Sequence, residues 1–333
     1  MGIKSNKKQV SIKGTVTDVS YYYRFGASGI DAALPPPPPY DCVECDWIGD
    51  RGISGGGTTG SFTDRIDYYD ITSISNASDF GDLSSSRHAG FGCSNSVRGL
   101  FAGGYATDAT IDYITIATTG STTGFGDLSQ GRHDGGAACD GNRGVFCGGV
   151  TGSRVDTIDY VAVATPATAV SFGSLASATS GCAGAASATR GLYGGGSDGS
   201  KITQINYITF STLGDAQDFG DLTLARATAN GGCSNTSTAL WAAGGGASAN
   251  TDRIDYVNTA SLASASDFGN TVQALVEGLS GAANSTRATF AGGINSGSYF
   301  DQIQYVTIST PGDATDAANL QAGTRSPTGF SGD

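Results

Sequence analysis

The stretch RGLFAGG at residues 98–104 recurs with small changes along most of the chain. Each copy begins with an arginine or threonine, continues with an apolar pair and ends in glycines. Successive copies begin 45 to 49 residues apart, so the sequence consists of six units of about 47 residues. The copies start at Arg51, Arg98, Arg143, Arg190, Thr238 and Arg287.

Three further markers recur in phase with this stretch. An IDY-type tripeptide begins at residues 66, 111, 158, 205, 254 and 303. An FGDL-type segment begins at residues 80, 125, 172, 219, 268 and 317. An arginine follows it at Arg87, Arg132, Arg226 and Arg325.

Each unit contains four segments with the pattern of β-strands. GLFAGG (99–104) is a short apolar run stopped by glycines, and IDYITIAT (111–118) alternates and is rich in β-branched residues. FGDLS (125–129) is a short strand whose glycine indicates a bulge or a close backbone approach. The small-residue segment RHDGGAAC (132–139) is the fourth. Four strands in each of six units predict an all-β, six-bladed β-propeller at residues 51–333.

The two ends of the repeat region indicate how the ring closes. TRSPTGFSGD (324–333) corresponds to the small-residue strand of a unit, and the first unit at Arg51 begins with the strand that follows it. We therefore expect the C-terminal strand to complete the first blade, because this pairing leaves neither the C-terminal strand nor the first strand of the repeat region with an open edge. The alternative is that CVECDWIGD (42–50) fills this position.

The order of these features resembles the kelch repeat. The unit from Arg87 to Arg132 has the arginine, the small-residue strand, the apolar strand ending in Gly-Gly, the tyrosine-bearing strand and the aromatic-leucine segment of that family. The resemblance covers about 85% of the chain and implies a kelch-like propeller. The sequence departs from the kelch pattern by carrying phenylalanine where kelch repeats typically carry tryptophan, at Phe80, Phe125, Phe172, Phe219 and Phe268.

Charged residues at repeat positions are expected to be structural. The guanidinium fork suits a carboxylate, so we expect the recurring acids to pair with the blade arginines or to cap turns, and the arginine of RGLFAGG to bind a carboxylate or a carbonyl. The acids are those of the IDY-type tripeptides, Asp67, Asp112, Asp159 and Asp255, and those of the FGDL-type segments, Asp82, Asp127 and Asp221. Calcium or sugar binding is the alternative for these acids. The arginines concerned are Arg87, Arg98, Arg132, Arg143, Arg190, Arg226, Arg287 and Arg325.

Residues 1–50 have no counterpart in the repeat. QVSIKGTVTDVSYYYRF (9–25) alternates like one or two strands, and Pro35 to Pro39 form a polyproline II spacer. The sequence thus predicts an anchoring arm at 1–34, a spacer and linker at 35–50, and the propeller at 51–333. A flexible leader is the alternative. The residues expected to bind a partner are Lys4, Lys7, Lys8, Lys13, Tyr21, Tyr22 and Tyr23.

Charge and hydropathy exclude several classes of partner. The net charge is −12, and the lysines of the arm contrast with an acidic body, so nucleic acid is not an expected partner. No run approaches the 18 apolar residues that span a membrane, and the N-terminus lacks the apolar core of a signal peptide. We expect the protein to be made in the cytoplasm and not to insert into a membrane.

The sequence offers no group of residues typical of catalysis or cofactor binding. Cys42 and Cys45 form half of a zinc motif and are a minor metal candidate. His88 and His133 share one repeat position, which favours blade packing. Cys93, Cys139 and Cys233 recur at similar offsets, as buried small residues do. The sequence therefore predicts no enzyme, no cofactor and structural thiols.

The repeat texture also resembles proteins encoded by tailed phages, particularly marine and cyanobacterial ones. That resemblance implies a non-enzymatic virion protein, such as a tail fibre, tail tip or capsid decoration. Residues 1–40 would dock on other virion proteins in a symmetric assembly, and the propeller would face a host glycan or protein. The alternatives are an intracellular kelch-type interaction module and a carbohydrate-binding or glycan-active propeller. Clustered, non-repeated aromatic and acidic residues on one face would support the latter.

Overall fold

The computed structural model describes residues 48–106, 108–227, 231–246, 250–275 and 277–332. Throughout these ranges the regular structure is β-strand, without a helix. The strands form six antiparallel sheets of four or five strands each. The predicted all-β class is confirmed, and each of the six sequence units supplies most of one sheet.

The six sheets are the blades of the propeller. Blade 1 contains β1 (Arg51–Gly55), β2 (Arg65–Asp70) and β3 (Ser78–Asp82). Blade 2 contains β4 (Phe91–Ser94), β5 (Arg98–Gly104), β6 (Asp108–Thr115) and β7 (Thr123–Asp127). Blade 3 contains β8 (Gly136–Cys139), β9 (Arg143–Cys147), β10 (Thr157–Ala162) and β11 (Val170–Ser174). Blade 4 contains β12 (Ala183–Ala186), β13 (Arg190–Gly194), β14 (Gln204–Thr209) and β15 (Gln217–Asp221).

Blades 5 and 6 have additional short strands. Blade 5 contains β16 (Arg226–Ala227), β17 (Gly232–Ser234), β18 (Thr238–Gly246), β19 (Asn250–Asn258) and β20 (Ser266–Leu275). Blade 6 contains β21 (Glu277–Ala283), β22 (Arg287–Asn295), β23 (Ser298–Tyr299), β24 (Gln302–Thr307) and β25 (Thr315–Asn319). The last strand, β26 (Thr328–Gly332), pairs with β1 and completes blade 1.

The ring is closed by this last strand. β26 runs antiparallel to β1, with Gly332 opposite Arg51 and Thr328 opposite Gly55. The innermost strands β26, β4, β8, β12, β17 and β21 contact one another in this order around the axis, and β21 contacts β26. Closure by the C-terminal strand is therefore confirmed. The alternative occupant, residues 42–50, is wrong because β26 fills the position.

The RGLFAGG stretch is β5, the second strand from the axis of blade 2. Leu100, Phe101 and Ala102 are buried because the blade is covered on both faces by its neighbours. Gly103, the last residue but one of the strand, has a φ of +63°. A Cβ on Gly103 would also collide with the carbonyl oxygen of Arg132, at the entry to the next blade. The paired glycines therefore mark the point where the strand bends past the neighbouring blade.

The FGDL-type segment contains the bulge that its glycine predicted. The pairing of β6 with β7 shifts register between Ile111 and Asp112, so that Phe125 is left out of the ladder. Phe125 is buried, and its ring meets Tyr113 edge-on at a centroid distance of 6.0 Å. Gly126 follows with a φ of +155°, and a Cβ there would strike backbone of the next blade. The bulge thus turns a large side chain into the core.

The core is divided among the interfaces between blades. Six hydrophobic clusters occur in the described residues, and each combines side chains of two adjacent blades. Phe91 of blade 2 and Phe146 of blade 3, for example, lie 5.9 Å apart between ring centroids. A single blade buries little apolar surface by itself, so the blades stabilise one another.

The cysteines that the structure describes belong to these clusters. Cys93, Cys139, Cys147, Cys182 and Cys233 are buried and unpaired by disulfides. The Sγ atoms of Cys147 and Cys182 lie 3.9 Å apart. Burial raises the pKa of the Cys233 thiol above its ordinary range. The prediction that Cys93, Cys139 and Cys233 are buried thiols is confirmed.

The predicted arm at 1–34 and residues 35–47 of the spacer and linker lie outside the described residues. The division of the chain into arm, spacer and propeller therefore stays a prediction for this region.

Candidate functional site

The arginines that open the second strands lie at the interfaces between blades. Arg98 Nη1 donates to the carbonyl oxygens of Val163 and Ala164 in blade 3, at 3.1 and 2.7 Å. Its guanidinium carbon lies 4.9 Å from the centre of the Tyr113 ring in its own blade. Each such arginine therefore joins a cation–π contact to a hydrogen bond across the interface. The same pair of contacts is made by Arg51, Arg143, Arg190 and Arg287.

The arginines that follow the FGDL-type segment form buried ion pairs. Arg132 Nη1 lies 2.8 Å from the Asp159 carboxylate, and neither side chain has any exposed surface. Ser129 Oγ donates to the same carboxylate at 2.7 Å, and Arg132 Nη2 donates to the carbonyl oxygen of Phe146 at 3.2 Å. The ion pair and these hydrogen bonds offset most of the free-energy cost of removing the two charges from water. Arg226 pairs with Asp255 and Arg87 with Asp112 in the same way.

Arg325 differs from the other members of this set. Gly104 N donates to the Arg132 carbonyl, whereas the corresponding bond in blade 6 runs from Gly293 N to Thr324 O, at 3.0 and 2.8 Å. Thr324 therefore holds the repeat position of Arg132, and Arg325 lies one residue later. It forms an antiparallel bridge with Thr58.

The middle residue of the IDY-type tripeptide is an acid in the blades where an arginine lies beside it. Asp67 in blade 1 has Thr324 at the arginine position, and Arg65 Nε binds it instead, at 2.9 Å. Burial raises the pKa of Asp67 above its ordinary value, and the charge of Arg65 opposes this shift. Blade 4 has the uncharged Asn206, and Thr179 stands at its arginine position. The acids of the IDY-type tripeptides are therefore paired with arginines inside the propeller, whereas the recurring acids of the FGDL-type segments, Asp82, Asp127 and Asp221, are exposed.

The repeat is broken at one end of the propeller, which we call the loop face. It is formed by the hairpins between second and third strands and by the connections between blades. These two kinds of segment pair with each other, as when Tyr105 N donates to His88 O at 2.9 Å and Val150 N to His133 O at 2.8 Å. Antiparallel strands require all these segments to lie at the same end.

A row of four rings crosses the loop face from blade 1 to blade 3. The Phe62 and His88 rings are stacked, with centroids 4.4 Å apart and planes at 30°. The Tyr105 centroid lies 5.1 Å from that of His88, 5.7 Å from that of Phe62 and 5.3 Å from that of His133. We call these four residues the aromatic row. They belong to two hairpins and two connections of three adjacent blades.

The aromatic row has a polar end. His133 Nδ1 lies 2.9 Å from the Asp134 carboxylate, and the exposed fractions of these side chains are 16% and 36%. His88 and His133 were interpreted as packing residues of the blades. They lie instead in the connections at the loop face, where their rings flank Tyr105.

The rings of Phe62 and Tyr105 are not repeated in blades 3 and 4, whereas the two histidines occupy one repeat position. The position of Tyr105 is taken by Val150 in blade 3 and Ser197 in blade 4. Phe62 pairs back across its hairpin to Thr58, as Arg154 does to Val150 and Lys201 to Ser197. The sequence analysis missed Phe62 and Tyr105. Their signal was present as a departure from the repeat, since the hairpins are its most variable segments.

Blades 5 and 6 make a different contribution to the loop face. β18 and β22 have nine residues each, and their ladders extend to Gly245 opposite Asn250 and Ile294 opposite Tyr299. In blades 3 and 4 only isolated bridges occur there. The loop face is therefore asymmetric, with the aromatic row on one side and regular strand ends on the other.

Other kinds of site were sought in the described ranges. There, no group of three or more histidine, cysteine, aspartate or glutamate side chains could hold a metal ion. The part of the chain that the structure describes also has no helix long and apolar enough to cross a membrane. A cavity between blades 1 and 2, lined by Leu83, Arg87 and Phe101, is no larger than a water molecule.

The site residues predicted in the arm and linker are outside the described residues. Their roles stay predictions. They are Lys4, Lys7, Lys8, Lys13, Tyr21, Tyr22, Tyr23, Cys42 and Cys45.

The fold and the face define the class of this protein as a six-bladed β-propeller, and such a propeller suggests a protein-interaction module. No protein-family model matches the chain, and a search of curated proteins finds no significant match. The kelch-like order of the repeat therefore remains a resemblance.

Proposed function

We propose that this protein is a non-enzymatic interaction module whose binding surface is the loop face. The observation that carries this proposal is the contrast between two sets of residues. The arginines that open the second strands bind backbone carbonyls of the next blade, and the acids of the IDY-type tripeptides bind arginines inside the ring, as Asp159 binds Arg132. The aromatic row is confined to blades 1 to 3 and includes two exposed large apolar side chains, Phe62 and Tyr105. Exposed clustered aromatic residues are typical of binding surfaces.

The biological setting that we propose is the virion of a tailed phage. The Gly-, Ser- and Thr-rich repeat texture supports it, as does the contrast between a lysine-bearing arm and an acidic body in a chain whose net charge is −12. Residues 1–40 would dock on other virion proteins within a symmetric assembly, and the propeller would project outward toward the host surface. No cofactor, nucleic acid or membrane insertion enters this function.

Gradient-purified virions of the source phage provide the test. Mass spectrometry is expected to detect the chain in stoichiometric amount, and electron microscopy to show a propeller-sized appendage joined by its N-terminus. A chain that lacks residues 1–40 should fold and yet fail to bind particles from which the protein has been removed. Absence from purified particles, with recovery in a complex of intracellular host proteins, would contradict the virion setting and favour the intracellular module.

A further inference from the structure

Two rings of the aromatic row face solvent. Tyr105 is 52% exposed and Phe62 is 46% exposed, although both lie against other rings. The tyrosines of the third strands, such as Tyr113, pack against the core instead. Two large rings held in water by a rigid ring of blades offer a preformed apolar surface.

The blades do not need these rings for their own stability. Val150 and Ser197 occupy the Tyr105 position in blades 3 and 4, and their backbone N–H groups donate the same hydrogen bond to the connection between blades. Arg154 and Lys201 likewise replace Phe62 without loss of the hairpin. The aromatic side chains are therefore additions to a backbone that folds without them.

The arrangement of the rings favours a flat ligand over a cation. A cage for a cation needs several ring faces directed at one point. Here Phe62 and His88 are stacked on each other at 4.4 Å, so one face of each ring is already covered. The surface left is a strip that runs past Tyr105 to His133.

The charge around the strip favours a neutral ligand. The protein carries a net charge of −12, and Asp134 lies at the end of the strip. His133 Nδ1 lies 2.9 Å from the Asp134 carboxylate, and Nε2 lies on the opposite side of the imidazole ring. The Asp134 carboxylate and the imidazole can both form hydrogen bonds with hydroxyl groups, whereas the carboxylate would repel a phosphate or a second carboxylate.

We propose that the aromatic row is a binding site for a neutral saccharide. The C–H face of a pyranose would stack on Tyr105, beside the Phe62 ring, whose plane stands at 68° to that of Tyr105, and its hydroxyls would form hydrogen bonds with Asp134 and with Nε2 of His133. This inference rests on the proposed function, because it requires the loop face to be the surface that meets the ligand. A saccharide combines the flat apolar face and the hydroxyl donors that this strip accommodates.

Binding is tested on the full chain with an array of neutral and anionic glycans. Saturation-transfer NMR with lactose, maltotriose and methyl mannoside follows for solution affinity. We expect binding to neutral glycans, and a loss of about tenfold or more in affinity for Tyr105→Ala, since a ring contact contributes about that factor. Tyr299→Ala is the matched control, because Tyr299 is an exposed tyrosine of the same face in blade 6. It should bind within about twofold of the wild type, a factor that corresponds to less than one hydrogen bond.

Three outcomes would overturn the saccharide inference. One is that the folded wild-type chain binds none of the neutral glycans. A second is binding that falls equally in Tyr105→Ala and Tyr299→Ala. The third is Tyr105-dependent binding to a host protein that persists after enzymatic removal of its glycans, which would show a protein partner. In each case detection of the chain in virions would leave the proposed function standing.

Discussion

At the scale of single residues, buried charge in this propeller is matched pair by pair. Arg132 and Asp159 are both inaccessible to solvent and lie 2.8 Å apart. Removing one member of such a pair leaves an uncompensated charge in a medium that solvates it poorly. Thr179 and Asn206 occupy the two corresponding positions for blade 4, so its interface contains no such ion pair.

The pair in blade 3 can be exchanged for the uncharged pair of blade 4. We expect Arg132→Thr and Asp159→Asn each to lower the free energy of unfolding by roughly 3–5 kcal/mol. The double variant Arg132→Thr/Asp159→Asn should recover most of that loss, because no buried charge remains. Urea unfolding followed by circular dichroism measures all three. Additive losses in the double variant would show that the two residues do not act as a pair.

Asp67 is the acid whose titration should be visible in stability. Burial raises its pKa from the ordinary value of 3.8, so the folded state binds the proton more tightly than the unfolded state does. Stability contributed by this group is therefore lost as pH rises from below the ordinary value through the raised one. Asparagine does not titrate. The free energy of unfolding of Asp67→Asn, relative to wild type, should therefore increase between pH 3 and pH 7.

Unfolding of both proteins in urea at several pH values checks this expectation. Asp82→Asn is a suitable control, because Asp82 is an exposed acid of the neighbouring strand. A difference between Asp67→Asn and wild type that stays constant or falls with pH would contradict it.

At the scale of elements, blade 5 lacks one of the contacts that hold its neighbours. Thr238 begins β18 where the other second strands begin with arginine. Among the described tyrosines at this position of the third strands, only Tyr256 therefore lacks an arginine at the start of the second strand of its own blade. Its ring still packs edge-on against Phe268, with centroids 5.5 Å apart.

Restoring this arginine should strengthen the interface of blades 5 and 6. We expect Thr238→Arg to raise the free energy of unfolding by about 0.5–1 kcal/mol, through stacking on Tyr256 and a hydrogen bond to a carbonyl of blade 6. The reciprocal variant Arg98→Thr should lower it by a similar amount. Differential scanning calorimetry of the two variants makes the comparison. A lower melting temperature for Thr238→Arg would show that blade 6 offers no such carbonyl.

At the scale of the whole molecule, the C-terminal strand couples the two ends of the ring. Phe330 in β26 is 5% exposed and lies 4.8 Å from Phe101 of blade 2 between ring centroids. Its cluster also contains Ile53 of β1 and Ile114 of β6. One side chain thus joins the last strand to the first and second blades.

Truncating this side chain should open the ring at its closure. Phe330→Ala is expected to cost about 3–5 kcal/mol, as other phenylalanine truncations in cores do. Hydrogen exchange should accelerate first in β1 and β26. Phe219→Ala in blade 4, another buried phenylalanine, serves as the control and should leave exchange in β1 close to its wild-type rate. Equal acceleration of β1 in both variants would mean that the ring opens only as a whole.

Much of the fold follows from particular residues in the sequence. The spacing of RGLFAGG specified six blades, and the Phe-Gly of FGDL specified the bulge that buries Phe125. The change from IDY to INY in blade 4 also occurs where Thr179 takes the arginine position, and this correspondence becomes clear only from the equivalent pair of Arg132 and Asp159 in blade 3. The sequence could not show which blade provides each partner, because Arg132 and Asp159 are 27 residues apart.

The candidate site depended far more on the tertiary structure. Phe62, His88, Tyr105 and His133 span 72 positions of sequence and belong to three blades, and no local pattern joins them. The sequence by itself determined the blade number, the strand types and the closing strand, because each depends on periodic local patterns and on pairing between complementary segments. Only the tertiary structure decided that these four aromatic side chains meet on one face, because their contact depends on how adjacent blades are rotated about the propeller axis.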